Sequence, residues 1–315
     1  MEKAKIFDTH RMVLDDGPGM RTTLFFKGCP LNCLWCHNPE SISPAKEIWW
    51  YHKKCIACAQ CISVCPVGAL SISKDGISID RLKCNACGLC TKICPSKSLE
   101  LLGREWSVDE ALAYVLKDKM FYESSGGGVT LSGGEPTIYK DFIFSLFKRL
   151  KEHNINTALD TCGLARQETF NELFPVVDIF LWDIKTIAPE LHKKFTEFTN
   201  EKIIENLYFI ADKIRLNSEK KLWIRTPLIP EMTSDTNNIS DIAQFLSNDF
   251  YDVIERWELC AFNRSCTPKY QRLGQPWVCE NLPSLSEADI NQLKSLISNF
   301  PKLKGKVFFT GFIKK

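Results

Sequence analysis

The chain has 315 residues, and its 40 basic against 38 acidic side chains leave a formal charge of +2, which excludes a binder driven by charge to nucleic acid or a membrane surface. Hydrophobic residues at 44% and charged ones at 25% suffice for a packed core, so the chain is not a disordered one. Cysteine is the outlier, at 15 against 5 histidines; a chain this long needs no disulfide framework, and an odd number cannot pair completely.

The first twelve residues carry Glu2, Lys3, Lys5, Asp8 and Arg11 and lack the apolar run of a secretion signal. No stretch has the length and apolarity of a membrane span. A cytoplasmic protein is expected, in which thiols stay reduced and clustered cysteines hold metal. Cys29, Cys33 and Cys36 come first, spaced C-x3-C-x2-C in KGCPLNCLWCHNPES. They have no fourth cysteine of their own. A cubane on three thiolates keeps one iron open, the feature that separates a reactive metal site from a structural one. The alternative is three incidental cysteines, one of them recruiting a distant partner such as Cys162.

Cys55, Cys58, Cys61 and Cys65 follow, spaced C-x2-C-x2-C-x3-C and ending on Pro66. The same spacing recurs 29 residues on as Cys84, Cys87, Cys90 and Cys94, ending on Pro95. In bacterial ferredoxin runs of this kind the fourth cysteine crosses to the other cluster. One 4Fe–4S cluster is therefore expected on Cys55, Cys58, Cys61 and Cys94, and another on Cys84, Cys87, Cys90 and Cys65. Zinc knuckles use two C-x2-C pairs across a longer loop, a different pattern. Trp49-Trp50-Tyr51, just before the run, is expected to shield a cluster from water.

Beyond the repeat, apolar β-rich runs alternate with amphipathic stretches. Strands are expected around Val129–Leu131, Thr157–Leu159, Ile179–Trp182, Leu222–Ile224, Arg256–Leu259 and Val307–Phe309, and helices over Tyr139–His153, Asp235–Ser247 and Glu287–Asn299. This alternation predicts a parallel α/β sheet or barrel, whose reactive groups lie where strands end. Ser132-Gly133-Gly134-Glu135-Pro136 falls there: two glycines would let a ligand approach the backbone, and the acid can accept from an ammonium. Asp160-Thr161-Cys162-Gly163, Asp183-Ile184-Lys185 and Arg225-Thr226-Pro227 end the next three strands. Two aspartates at adjacent strand ends would repel a bound carboxylate unless something positive intervenes, either Lys185 or a small monovalent cation. His10, His52, His153 and His192 have no partners in register, and Cys260, Cys266 and Cys279 read as small packed residues.

These residues resemble a known family. The C-x3-C-x2-C spacing with Trp35 before the third cysteine looks like the radical S-adenosylmethionine (SAM) signature. Asp16-Gly17-Pro18-Gly19-Met20-Arg21 before it and Cys36-His37-Asn38-Pro39-Glu40 after it are similar to the glycyl-radical-enzyme activating enzymes, and the doubled run resembles their larger subclass. The resemblance implies an α/β fold: a partial (β/α)6 radical-SAM barrel built from residues 1–47 and 104–315, with an inserted α+β ferredoxin-like two-cluster domain at 48–103. It implies three 4Fe–4S clusters, with SAM on the open iron. The implied cofactor contacts are Trp35, His37, Gly133, Gly134, Glu135, Asp160, Thr161, Asp183, Ile184, Lys185, Arg225 and Asn263. The Gly-Gly-Glu motif would meet the methionyl amino group, and Asp183-Ile184-Lys185 the ribose and carboxylate. Asn263 stands where the family often has a histidine. The implied activity is reductive cleavage of SAM, the 5′-deoxyadenosyl radical taking hydrogen from a glycine Cα of a partner glycyl radical enzyme. Reduced flavodoxin or ferredoxin would donate the electron; neither nucleic acid nor membrane is implied. Two rivals remain, a radical-SAM enzyme acting on a small molecule or peptide, and a non-catalytic iron–sulfur electron carrier.

Overall fold

The computed structural model describes residues 2–311. Its strands in chain order are β1 (Lys3–Val13), β2 (Arg21–Phe26), β3 (Glu47–Trp50), β4 (Leu70–Ser73), β5 (Gly76–Ile79), β6 (Leu99–Leu102) and β7 (Arg104–Ser107). Then come β8 (Gly128–Gly133), β9 (Asn156–Thr161), β10 (Ile179–Asp183), β11 (Lys221–Leu228), β12 (Ile254–Ala261) and β13 (Val307–Thr310). The helices are α1 (Gln60–Ser63), α2 (Leu89–Ile93), α3 (Val108–Val115), α4 (Lys119–Ser125), α5 (Lys140–Glu152) and α6 (Gln167–Leu173). They continue with α7 (Pro189–Thr196), α8 (Glu201–Arg215), α9 (Thr236–Asp249), α10 (Thr267–Leu273) and α11 (Glu287–Ile297).

Nine strands form one sheet in the order β13-β12-β11-β10-β9-β8-β2-β1-β7. β2 and β8 to β13 are parallel neighbours, and β1 and β7 continue the sheet antiparallel. The order is open, β13 and β7 being its two ends, so the barrel is incomplete. The six strands expected after the cysteine repeat all form, and β2 adds a seventh parallel strand that the polar text Arg21-Thr22-Thr23 conceals. Strands buried on both faces read as continuous apolar runs, as Ile179-Phe180-Leu181-Trp182 does. The longer helices α5, α8 and α9 bury one apolar stripe each in the main core. On α8 that stripe is Ile203, Leu207, Ile210, Ala211 and Ile214, at helical spacing.

Arg21 fastens the start of β2. It is fully buried, and burial draws its guanidinium down to about 10 against the pull of Asp16 and Asp178. Its Nε donates to Thr130 Oγ1 at 2.6 Å, Nη2 to the Val129 carbonyl at 2.9 Å, and Nη1 to Asn156 Oδ1 at 3.0 Å and the Pro18 carbonyl at 3.2 Å. One side chain thus binds β2 to β8, to β9 and to the Asp16–Gly19 loop.

The insertion folds as two related halves. β3 pairs with β6 and β4 with β5, each antiparallel. Its core repeats every 29 residues: Ile48 and Ile77, Cys61 and Cys90, Leu70 and Leu99 are buried at equivalent places. Ala57 and Ala86 both take left-handed φ, 52° and 51°, where the chain curls between its cysteines. Alternation along β3 corrects one expectation. Trp50 enters the insertion core, but Trp49 and Tyr51 face the other way and pack on Leu273 of α10. Arg272 lies over both rings, 4.9 Å from Trp49 and 4.6 Å from Tyr51. Glu47, assigned to the barrel by sequence, begins β3 and pairs at 2.6 Å with the fully buried Lys27.

Arg21→Leu leaves four acceptors without this donor, two of them buried and two part-buried, and should cost about 3 kcal/mol, seen as an earlier denaturation midpoint. An unchanged midpoint would contradict the bracing role.

Candidate active site

The C-terminal ends of β8 to β13 and the loop after β2 enclose a cavity of roughly 500 Å³, within the range of small-molecule sites. Cys29, Cys33 and Cys36 form one wall. Facing them are Ser132, Gly133, Gly134, Asp160, Thr161, Asp183, Lys185 and Arg225, each at or just beyond a strand end. A wider surface groove of about 730 Å³, between Tyr139, Lys140, Arg166 and Glu172, carries no thiol and lies over helices.

The cysteine loop is pinned on every side. Asn32 and Leu34 donate backbone bonds to the Thr196 and Phe195 carbonyls at the end of α7. Trp277 Nε1 donates to the Leu34 carbonyl at 3.1 Å, the Tyr270 hydroxyl to the Cys36 carbonyl at 2.9 Å, and Lys269 Nζ to Asn38 Oδ1 at 2.7 Å. Trp35 is buried among Phe195, Ile229, Phe262, Tyr270 and Trp277, together with Cys266 and Cys279, which are packed as expected. His37 lines the cavity, and burial and then Lys269 push its pKa down. Tyr270 belongs to Pro268-Lys269-Tyr270-x2-Leu273-Gly274, which follows the family pattern in the sequence, but the sequence anticipates neither its role nor Trp277. Their signal is tertiary, two aromatics stacked 5.3 Å apart beneath a loop more than 200 residues away.

The Gly-Gly-Glu turn works differently from its sequence reading. A Cβ on Gly133, whose φ is +109°, would stand 2.4 Å from Phe26 N, and one on Gly134 would stand 2.2 Å from the Gly28 carbonyl oxygen. The glycines therefore admit the backbone that leads into Cys29. Gly134 N–H donates to the Phe26 carbonyl at 2.8 Å and Glu135 N–H to the Gly28 carbonyl at 2.7 Å. Glu135 itself is fully buried and does not line the cavity. Its Oε1 accepts from Thr137 N–H (3.0 Å), Thr137 Oγ1 (2.6 Å) and Thr161 Oγ1 (2.8 Å), and its Oε2 from Cys162 N–H (2.8 Å). Thr161, though on the cavity wall, spends its hydroxyl on that carboxylate.

The other strand-end residues sort by side. Ile184, expected at the cofactor, points into the main core, because its neighbours Asp183 and Lys185 take the cavity side. Lys185 is nearly fully buried and pairs with Asp183 at 2.7 Å; burial opposes its charge, but Asp183 and then Cys33 raise its pKa overall. Arg225 is the hub of the far wall. It reaches Asp160 at 3.3 Å, Glu258 at 3.2 Å, Asp16 at 3.8 Å and the Asp15 carbonyl at 3.1 Å. Asp160 also accepts from Ser132 Oγ at 2.6 Å, and burial lifts its pKa to about 6 against the pull of Arg225. Asn263 is on the wall, with Oδ1 accepting from Ser265 N–H and Oγ at 3.0 and 2.5 Å, which leaves its amide NH₂ for a ligand. Cys260, read as packed, lines the cavity instead.

The donor set fits iron–sulfur clusters. Burial pushes the Cys29 thiol up to about 12 and raises Cys33 and Cys36 as well, so all three need a strong positive centre to become thiolates. In the insertion one small cavity is ringed by Cys55, Cys58, Cys61 and Cys94, another by Cys65, Cys84, Cys87 and Cys90. These are the crossed sets. Among the described residues no group of Cys, His, Asp and Glu converges as a single ion requires, whereas four thiols around a void suit a multi-atom cluster.

A family model for the Radical SAM superfamily matches residues 81–241, one for a 4Fe-4S dicluster domain residues 54–98, and one for a 4Fe-4S single cluster domain residues 15–62. Fold and site define a radical SAM protein that uses iron–sulfur clusters and SAM. The chain is 39% identical to the (2S)-3-sulfopropanediol dehydratase activating enzyme of Klebsiella oxytoca, over 88% of this chain and 87% of that one. It is 37% identical to the trans-4-hydroxy-L-proline dehydratase activating enzyme of Clostridioides difficile, over 94% and 97%. A radical SAM methyltransferase from Sphaerobacter thermophilus shares the fold with a TM-score of 0.54 at 12% identity, over 97% of this chain and 77% of that one. The chain belongs to the activating enzymes of glycyl radical enzymes, within the radical SAM superfamily. Its activity is reductive cleavage of SAM at a 4Fe–4S cluster, which supplies the radical that takes hydrogen from a glycine Cα of the partner enzyme. Among the described residues no helix is long and apolar enough to cross a membrane.

Glu135→Gln sets an amide NH₂ against groups that already donate. It should cost about 2 kcal/mol in denaturant titrations of the protein. Calorimetry should show SAM affinity falling less than for Arg225→Gln, which alters a residue on the cavity wall. The opposite ranking would return Glu135 to the ligand.

Proposed function

We propose that Cys29, Cys33 and Cys36 hold the cluster that binds SAM, and that the strand-end cavity takes the rest of that cofactor. One observation carries the reading: three thiols, the buried Lys185 and the partly buried Arg225 line a single cavity of cofactor size. Lys185 and Arg225 are the groups to neutralise a carboxylate, while Asp160 and Asp183 can accept from an ammonium or from ribose hydroxyls. Lys185 pairs with Asp183, and Arg225 is shared among Asp160, Glu258 and Asp16, so a small monovalent cation beside the two aspartates is the other group that would balance a bound carboxylate. Trp35, Ile229 and Phe262 give the cavity an apolar flank that limits water. The backbone at Ser132–Gly134 and the Asn263 amide supply further polar contacts.

In the same reading the insertion holds two more 4Fe–4S clusters on its crossed cysteine sets. It runs from about residue 48 to 103, between the barrel portions 1–47 and 104–315, with β3 starting at Glu47 on the boundary. A reduced flavodoxin or ferredoxin supplies the electron, in a cytoplasm that keeps the thiols reduced.

Cys33→Ala, reconstituted anaerobically, should lose 5′-deoxyadenosine formation to background. Its iron should fall from about twelve per chain to about eight, the count expected of two remaining cubanes. Retained cleavage, or wild-type iron near four, would overturn the assignment.

A further inference from the structure

The 29-residue repeat of the insertion breaks at the fourth cysteine of each half. Cys65 Sγ accepts one bond, from the Ala69 N–H at 3.3 Å. Cys94 Sγ accepts the equivalent bond from the Ser98 N–H, also at 3.3 Å. Two hydroxyls stand beside it as well, Ser98 Oγ at 3.2 Å and Ser96 Oγ at 3.6 Å. Twenty-nine residues earlier the matching side chains are Ala69 and Val67, which have no polar atom. Both serines line the cavity of Cys55, Cys58, Cys61 and Cys94, and Val67 lines the other.

Solvent exposure, the other local influence on a cluster's potential, is matched between the halves. Cys58 and Cys87 are exposed, Cys61 and Cys90 are buried, and Cys55 with Cys84 and Cys65 with Cys94 fall between. Arg81 lies near enough to Cys84 for its charge to act in the opposite sense, through space and without a hydrogen bond to a sulfur, whereas the two serine hydroxyls bond a ligand sulfur directly. A thiolate ligand only accepts, so both hydroxyls donate to Cys94, and such donors stabilise the reduced, more negative cluster.

We propose that Ser96 and Ser98 set the cluster on Cys55, Cys58, Cys61 and Cys94 at a more positive reduction potential than its twin. An electron passed to the insertion by a one-electron donor then resides on that cluster. The inference rests on the reading that the crossed cysteine sets hold two 4Fe–4S clusters.

The test is a redox titration of the reconstituted holoenzyme followed by electron paramagnetic resonance, with iron and spin counted on the same sample. In the Ser96→Val/Ser98→Ala variant one insertion couple should move to more negative potential, and it should be the more positive of the two. Ser98→Thr, which keeps a hydroxyl, should stay close to wild type. Full iron with both couples unmoved, or movement of the more negative couple, overturns the inference while leaving the clusters in place. An insertion holding clearly fewer than about eight irons overturns the two-cluster reading, and the inference with it.

Discussion

The cavity depends on the tight turn Gly133-Gly134-Glu135 at the end of β8. Gly133 and Gly134 let the chain leaving β2 pass at backbone distance, and two amide bonds from this turn hold Phe26 and Gly28 in place. The carboxylate of Glu135 then binds the Thr161 hydroxyl and the Cys162 amide at the end of β9. Three strand ends are locked to each other before any ligand arrives. A buried carboxylate with four donors is costly to disturb, and the cost secures the position of Cys29, one residue beyond Gly28.

A second constraint joins the barrel to the insertion. The short helix α10 carries Lys269 and Tyr270, which hold Asn38 and Cys36 of the cysteine loop. Its end carries Arg272 and Leu273, which pack on Trp49 and Tyr51 of β3, while the Arg272 carbonyl accepts from Arg81 at 3.0 Å. One helix of two turns touches both the loop of the open cluster and the outer face of the insertion. The contacts at both ends of α10 are side chains that are packed and hydrogen-bonded, so the helix fixes the position of the insertion relative to the cysteine loop.

Much of this was legible in the residues. The six strands after the repeat lie inside β8 to β13, and the helices expected over Tyr139–His153, Asp235–Ser247 and Glu287–Asn299 match α5, α9 and α11 to within a few residues. Cysteine spacing anticipated which four thiols surround each insertion cavity. β2 escaped notice because its buried Arg21, Thr22 and Thr23 look like surface residues until their partners are known. Orientation escaped for a related reason. Glu135 and Ile184 sit in the right motifs, yet one turns toward Thr161 and the other into the core, and only neighbouring strands decide that. Trp49 and Tyr51 likewise needed α10 in place before their role could be read.

The cavity is built to generate a radical aimed at a backbone glycine of another protein. The most direct measurement uses a candidate partner glycyl radical enzyme, made with α-dideuterated glycine and mixed with reduced holoenzyme and SAM. The 5′-deoxyadenosine should be heavier by a single deuterium and should form together with a glycyl radical signal in electron paramagnetic resonance. Unlabelled 5′-deoxyadenosine, formed in quantity without a glycyl signal, would contradict this role.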